Sequence, residues 1–388
     1  MSTPLVGISV CMLLTNDVVR DARVLKEARS LASAGARVIV IGTGRALDPA
    51  LFAEPFETEL VAPQEPSRHP VWPVRVWRNL AGERAFDRRL EAAAVAIGAD
   101  IVHANDLDTL LPGARAARRT GAALVYDAHE ISTEGGNYNW WRKPLMERRE
   151  RRLMRRAAAA ITVNPFIARE FVTRYGVDEP EVVYNGSTRC VSEAQPVHGP
   201  VRLFFQGKFY ADRNLEQLVQ AMTFLRGKAT LTFQGWSGIE QRLHELVDEL
   251  DLTDTVKFIS PCAPADVVTS AAEYDVGIIN HRPVSLNHRF SSPNKLFDYL
   301  SGGLAIVASD LPVFDLVLRD TGAGITFEPS SAEETARVLE ELVDDPQRIS
   351  EMKRNAVASC GRYAWATQAR ILLGVYERVA AHVRARRG

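Results

Sequence analysis

Long hydrophobic runs are the first thing this chain lacks. Hydrophobic residues make up 46% of its 388 residues, yet no stretch approaches the roughly 18 apolar residues that a membrane-spanning helix needs. Cysteine is scarce. Cys11, Cys190, Cys262 and Cys360 are scattered with no CxxC and no Cys/His ligand spacing, which argues against a structural zinc site or a disulfide framework and fits a reducing cytoplasm. Net charge is nearly absent too: 47 Lys and Arg against 48 Asp and Glu leave −1. The whole-molecule field therefore gives no reason to expect nucleic acid as a partner, and any basic site must be local. The opening MSTPLVGISVCMLL has no basic n-region, so it reads as a buried first strand rather than a signal peptide. No GxGxxG follows that strand, which counts against a dinucleotide-dependent oxidoreductase.

What is present is alternation. Strand candidates at 5–13, 37–43, 100–103, 123–126, 159–163 and 181–184 are separated by helical patterns such as 21–34. Such alternation implies right-handed crossovers and a mostly parallel sheet covered on both faces. Hydrophobic periodicity lapses over VSEAQPVHGP, residues 191–200, which is a linker composition. The alternation restarts with strands expected at 201–205, 229–233, 255–259, 275–279 and 304–308, and helices near 215–225, 239–250 and 295–300. A chain of this length holds two cores. The expected division is 1–190, the linker 191–200, 201–362, and a closing helix 363–388, with a cleft between two Rossmann-like domains.

Two segments of the second half carry the chemistry. In FFQGKFYADRNLEQL a strand ends near Gly207 and a helix follows Asn214, so Lys208 and Arg213 share one short connection beside a helix N-terminus. Two cations there suit a diphosphate, each charged hydrogen bond contributing about 1.5 to 3 kcal/mol. A solvated loop carries the same residue types. In SSPNKLFDYLSGG, Ser292 is placed to cap a helix, Pro293 suits its first turn, and Asn294 follows at its start. Lys295 adds a charge at the positive end of the helix dipole, and Asp298, one turn on, can accept both hydroxyls of a ribose.

These residues resemble a known family. FFQGKFYADRNLEQLVQAM and SSPNKLFDYLSGGLAIVASDLP look like the two donor-site segments of GT-B glycosyltransferases of family four, the group 1 retaining enzymes. Lys208 and Arg213 hold the two basic positions of the family's GR(x4)K-type loop in exchanged identity. Asp298 falls on the second acidic position of its E-x7-E motif, whereas the first is Phe290; there the segment resembles a subgroup with an S-P-N-K-L-F-E-Y pattern. Asp21-Ala22-Arg23-Val24, Ile101 to Asp106, Tyr126 to Glu130 and the ending from Tyr363-Ala364-Trp365 through Arg384 resemble further segments of that subgroup, in the right order. The Gly-Gly loop of many members is replaced by Leu14-Thr15-Asn16-Asp17. The resemblance implies a GT-B fold whose last helix crosses back to the first domain, and transfer of a sugar from a nucleotide-diphosphate donor with retention. It implies no cofactor and no metal, since basic residues and a helix dipole take the ion's place.

In the first half, His129 ends a strand where a neutral imidazole could bond a donor-sugar hydroxyl, as the resemblance implies for this position; a structural His satisfied by backbone reads equally well. Asp127 and Glu130 are chemically suited to act as a base. Asn16, Asp17, His103 and Asp106 are further acceptor-side candidates. Asn105-Asp106-Leu107-Asp108 has a DxD spacing but no accompanying ligand cluster, so no metal is expected. The stretch 142–156 holds eight Lys or Arg after Trp140 and Trp141. It reads either as a solvated helix whose Leu145, Leu153 and Met154 face the core or as a peripheral contact with an anionic lipid surface. The donor, on this reading, is a nucleotide sugar; the acceptor is a sugar, a lipid-linked glycan or a natural product, in the cytoplasm or at the inner membrane face. A nucleotide-sugar epimerase of the same fold and a non-catalytic nucleotide-sugar-binding protein are the alternatives.

Overall fold

The computed structural model describes residues 4–44, 54–63, 67, 69, 71–135, 140–236 and 238–387. Residues 1–3 and Gly388, at the ends of the expected domain ranges, lie outside them. The chain forms two units, residues 1–183 with 369–388, and residues 184–368.

The first unit is built on seven strands, β1 (Ser9–Asp17), β2 (Arg37–Thr43), β3 (Glu57–Leu60), β4 (Ile101–Asn105), β5 (Ala123–Ala128), β6 (Ala159–Thr162) and β7 (Glu181–Val182), in the order β3-β2-β1-β4-β5-β6-β7. All neighbours run parallel. β4 and β5 are buried at every position, so they show no inside-outside alternation, and their polar residues His103, Asn105 and Asp127 are buried with the apolar ones. The order reverses direction between β1 and β4, so loops after those strands open a crevice at the carboxyl edge. The helix Ala22–Ser33 starts on an Asp21 carboxylate that accepts from the Val24 amide at 3.2 Å.

The second unit has six parallel strands, β8 (Val201–Lys208), β9 (Ala229–Trp236), β10 (Val256–Ile259), β11 (Val276–Ile279), β12 (Ala305–Ser309) and β13 (Gly324–Phe327), ordered β10-β9-β8-β11-β12-β13. Its switch point lies between β8 and β11. Leu203, Phe205, Phe233, Val276 and Val307 from the strands pack with Leu218, Leu243 and Leu339 from the helices into one core. Gly277 on β11 leaves room for the Tyr299 ring to lie against the strand, and the Tyr299 hydroxyl accepts the Gln206 amide at 2.9 Å.

Several expectations are corrected by these contacts. The stretch 191–200 lies inside the second unit, whose boundary falls at Tyr184. The Tyr184 ring packs 5.6 Å from Phe297 and 5.3 Å from Tyr363, and the Val191 amide donates to the Ser301 carbonyl at 2.8 Å. Cys190 and Cys360 form a disulfide, with Cα atoms 6.3 Å apart across 170 residues of sequence; the absence of any spacing motif hid this pairing. The last helix, Trp365–Arg387, does return to the first unit as expected, from Ala369 onward, where Arg384 donates to the carbonyls of Pro4 and Val6. In the basic helix Lys143–Met154, Leu153 and Met154 are buried but Leu145 is 56% exposed. Met146 and Glu150 take the inward face instead.

Candidate functional site

The carboxyl edge of the second unit gathers the basic residues singled out above. β8 runs through Gly207 to Lys208, and Gly207 has φ +126°, a conformation that side-chain-bearing residues avoid. A methyl at Gly207 would sit 3.3 Å from the Lys295 ammonium, so glycine here both turns the chain and leaves room for the lysine. Lys295 lies over the Phe205 ring, its Nζ 3.8 Å from the centroid. Burial, reinforced by Arg213 and only partly countered by Asp212 and Asp298, holds its ammonium well below the usual lysine range. Burial likewise pulls Arg213 down. One of its terminal nitrogens is enclosed with no hydrogen-bond partner among the described residues, the nearest carboxylate oxygen being Asp212 at 3.4 Å. Asp212 is shared with the His288 imidazole at 3.0 Å. Lys208 is exposed, with its ammonium 5.8 Å from the Tyr210 ring centroid.

Asn214 takes the N-cap place of the helix Leu215–Ala221 in a left-handed conformation, φ +48°, and makes no capping bond. The expected cap at Ser292 is also absent. Pro293, extended at ψ 146°, is itself the N-cap of the helix Asn294–Gly302, so Ser292 stands one residue too early and its hydroxyl is enclosed without a partner among the described residues. Asn294 is exposed and hydrogen-bonds Asn185. Asp298 follows Lys295 by three residues on this helix, close enough to raise the lysine's proton affinity.

The sequence reading passed over His281. It stands two residues beyond the end of β11, beside the switch point, and is 1% exposed. Both ring nitrogens lack a hydrogen-bond partner among the described residues. Burial, then Arg213, Lys295 and His288, hold it well below the usual imidazole range. It lines a cavity of about 410 Å³ with Asn214, Gln217, Asp310 and Glu328, and the Gln217 side-chain oxygen is unpartnered as well. The signal available in sequence was its place, the second polar residue after a fully apolar strand; no motif marks it.

The first unit's carboxyl edge is charged but self-paired. Arg23 grips Asp127 with two hydrogen bonds, 2.9 and 3.1 Å, donates to the Val183 carbonyl at 2.9 Å, and lies 3.0 Å from Glu27. Asp127 also meets the His129 imidazole at 3.1 Å. The other ring nitrogen of His129 lies 3.2 Å from Asp106, whose carboxylate accepts the His129 amide at 2.9 Å. Against the pull of burial, Asp106 and Asp127 lift His129 well above the usual imidazole range. The two carboxylates thus favour the protonated ring, where a neutral one was expected. Burial works against Asp127 as well, but Arg23 and His129 hold it well below the carboxylate range. Burial and Asp127 push Glu27 well above that range. His103 is buried between Tyr376 and Asn105 and is drawn down to about 4 by burial. Asp106 adopts φ +60° at the β4 exit. Asn16 is exposed, and Asp17 accepts from the Val19 amide at 3.2 Å. Glu130 is half-buried. Among the described residues Glu27, His103 and Asp127 are the one group of His, Cys, Asp or Glu close enough to share a cation, and the Arg23 guanidinium already occupies the space between the two carboxylates. Asp106 and Asp108 of the DxD-like stretch are not part of it.

Comparison with known proteins bears on both units. Residues 22–187 match the family described as Glycosyltransferase Family 4, and residues 192–358 match Glycosyl transferases group 1. Two D-inositol 3-phosphate glycosyltransferases, from Corynebacterium aurimucosum and Corynebacterium kroppenstedtii, are 29% and 27% identical over 134 and 143 residues. Those segments cover 34% and 36% of this chain and 30% of each relative's length. Among solved structures, sucrose-phosphate synthase from Thermosynechococcus elongatus superposes with a TM-score of 0.74 at 15% identity, over 97% of this chain and 100% of that one. Anabaena HepE, solved with UDP and glucose, gives 0.71 at 16% identity, over 96% and 100%. The fold is GT-B: two Rossmann-like α/β domains with parallel sheets.

Proposed function

We propose that this chain, a glycosyltransferase by the family of each half, moves a sugar from a nucleotide-diphosphate donor to an acceptor hydroxyl. One observation carries the reading. Arg213 and Lys295 crowd together at a switch point beside His281, all three with depressed proton affinity, and one guanidinium nitrogen and both imidazole nitrogens are buried without a partner among the described residues. Cations assembled against their own repulsion and desolvation are compensated only when an anion arrives between them. A diphosphate is the anion of the right class, since HepE has been solved with UDP and with UDP-glucose.

On this reading Lys208, Arg213 and Lys295 stabilise the negative charge that develops on the departing diphosphate, the task that is usually the largest catalytic contribution. With those cations in that role the reaction needs no divalent ion, and we read it as metal-independent and free of cofactors. Gly207, Ser292, Pro293 and Asn294 shape the donor seat, and Asp298 holds the ribose. The first unit binds the acceptor, a sugar, lipid-linked glycan or natural product, with Asp127 and His129 as a paired, charged positioning element. Transfer proceeds with retention, a donor phosphate oxygen taking the acceptor proton. The enzyme works on the cytoplasmic side, with peripheral membrane contact through the stretch 142–156.

A donor-by-acceptor screen reading nucleotide release tests this. Lys208→Ala and Arg213→Ala should each lower turnover by about 10²- to 10³-fold with the fold intact; near-normal rates in both would sink the grip. Stabilisation by UDP without release under any acceptor would instead favour a binding protein, and a donor sugar altered in configuration without transfer would favour an epimerase.

A further inference from the structure

We propose that the groove between the helices Asp106–Thr120 and Lys143–Met154 seats the phosphate-bearing head groups of an anionic phospholipid bilayer. The proposal rests on the peripheral contact read above and gives it a location and a chemistry.

The eight basic residues of 142–156 are not equivalent. Arg142 pairs with Glu83 at 2.7 Å, Lys143 with Glu134 at 2.8 Å, and Arg155 donates to the Tyr175 carbonyl. These three hold the helix to its own unit. Arg148, Arg149, Arg152 and Arg156 instead line a groove of about 1040 Å³, joined by Arg118 from the facing helix and Arg386 from the last helix. No carboxylate lines it. Arg149 is balanced in part by Asp87, and Arg115, also on the wall, lies 3.9 Å from Glu91. The other five make no ion pair among the described residues. Five arginines facing one space repel one another, and phosphate oxygens relieve that repulsion with bidentate bonds.

Charge alone suits any polyanion; the surrounding apolar groups select a lipid. Leu145 lines the groove at 56% exposure, and Trp140, just ahead of the same helix, is 87% exposed. A soluble polyanion would leave both in water. A bilayer interface takes indole rings and leucine at its head-group level while its phosphates meet arginine. The groove floor, Gly121 to Leu124 with Ala157 and Ala158, lies at the amino ends of β5 and β6. His129 and Asp106 stand beyond the carboxyl ends of β5 and β4, about 20 Å away along the six residues of β5. A head group in the groove is thus an anchor, separate from the acceptor.

Sedimentation of the full chain with phosphatidylcholine vesicles, with and without phosphatidylglycerol, tests the assignment. Binding should require phosphatidylglycerol, and the combined R148S, R152S and R156S variant should bind roughly 100-fold more weakly, from about 1 kcal/mol per basic residue at a charged surface. UDP-induced thermal stabilisation should stay unchanged in that variant. R118E with R386E, on the other walls, should weaken vesicle binding in the same direction if the first variant folds poorly. Wild-type binding in both variants would overturn the groove while keeping a membrane contact elsewhere. Failure of the wild type to bind any vesicle, with or without groove-dependent binding of inorganic polyphosphate, would overturn the lipid assignment and leave the transferase reading standing on its nucleotide data.

Discussion

The two carboxyl edges solve opposite electrostatic problems. In the first unit Arg23 and His129 face Asp127 and Asp106, whose carboxylates raise the imidazole's proton affinity, while burial and Asp127 raise that of Glu27, so the groups pair within the protein. In the second, burial costs Lys295 and Arg213 more than the nearby Asp212 and Asp298 return, and these two and the neighbouring His281 all lose proton affinity. A cluster that closes on itself positions groups; one left open is stabilised by what binds.

Opposite signs of stability change would break or confirm this contrast. Arg23→Met strips the buried Asp127 of its bidentate partner, and removing one member of such a pair costs about 3–5 kcal/mol. A large fall in melting temperature is expected, and a change near zero would refute the closed-network reading. Lys295→Met should go the other way. It removes a desolvated cation from above the Phe205 ring, so the apoprotein should melt at the same or a higher temperature while turnover falls by about 10²- to 10³-fold. Destabilisation by K295M comparable to that of R23M would erase the difference between the edges.

A smaller effect reports the open edge directly. Lys295 and His281 have depressed proton affinities, so an arriving diphosphate should raise both and draw protons from solution near neutral pH. Calorimetry of UDP binding in buffers of different ionisation enthalpy reads this as net uptake. Net release would mean that the anion does not reach these groups.

How far the sequence carried differs between the edges for the same reason. Lys208, Arg213, Lys295 and Asp298 were legible because strand, turn and helix start follow one another in short segments. His281 was not, because its importance comes from β11 lying beside β8, a pairing set by strand order. Arg23 and Glu27 share a helix with Val24, Leu25, Ala28 and Leu31; a charged pair four apart looks solvated until Asp127 arrives from 104 residues away. β13 escaped notice because three of its four residues are only half-buried, leaving no solid apolar run. The Cys190–Cys360 disulfide had no local signal at all.

Glu150 sharpens the contrast from within the first unit, because it is a buried carboxylate with hydroxyls for partners. Tyr126 and Tyr175 donate to its two oxygens at 2.6 and 2.7 Å, and burial, which those bonds only partly offset, raises it to about 7. A carboxyl raised from an ordinary 4.5 contributes stability that is complete below about pH 4.5 and is lost as the pH rises through 7. Glu150→Gln keeps the shape and cannot ionise. Its melting temperature should therefore vary less between those limits and exceed the wild type's at pH 8 by the equivalent of about 2 kcal/mol. An identical pH slope in the two proteins would mean that Glu150 ionises as freely as a surface carboxylate. Asp127, held below its ordinary range by Arg23 and His129 despite burial, predicts the reverse slope, stability lost as the pH falls. A guanidinium thus overcomes burial at Asp127 where two hydroxyl donors do not at Glu150, and two buried carboxylates of one unit, one on a strand and one on a helix, respond oppositely to acid.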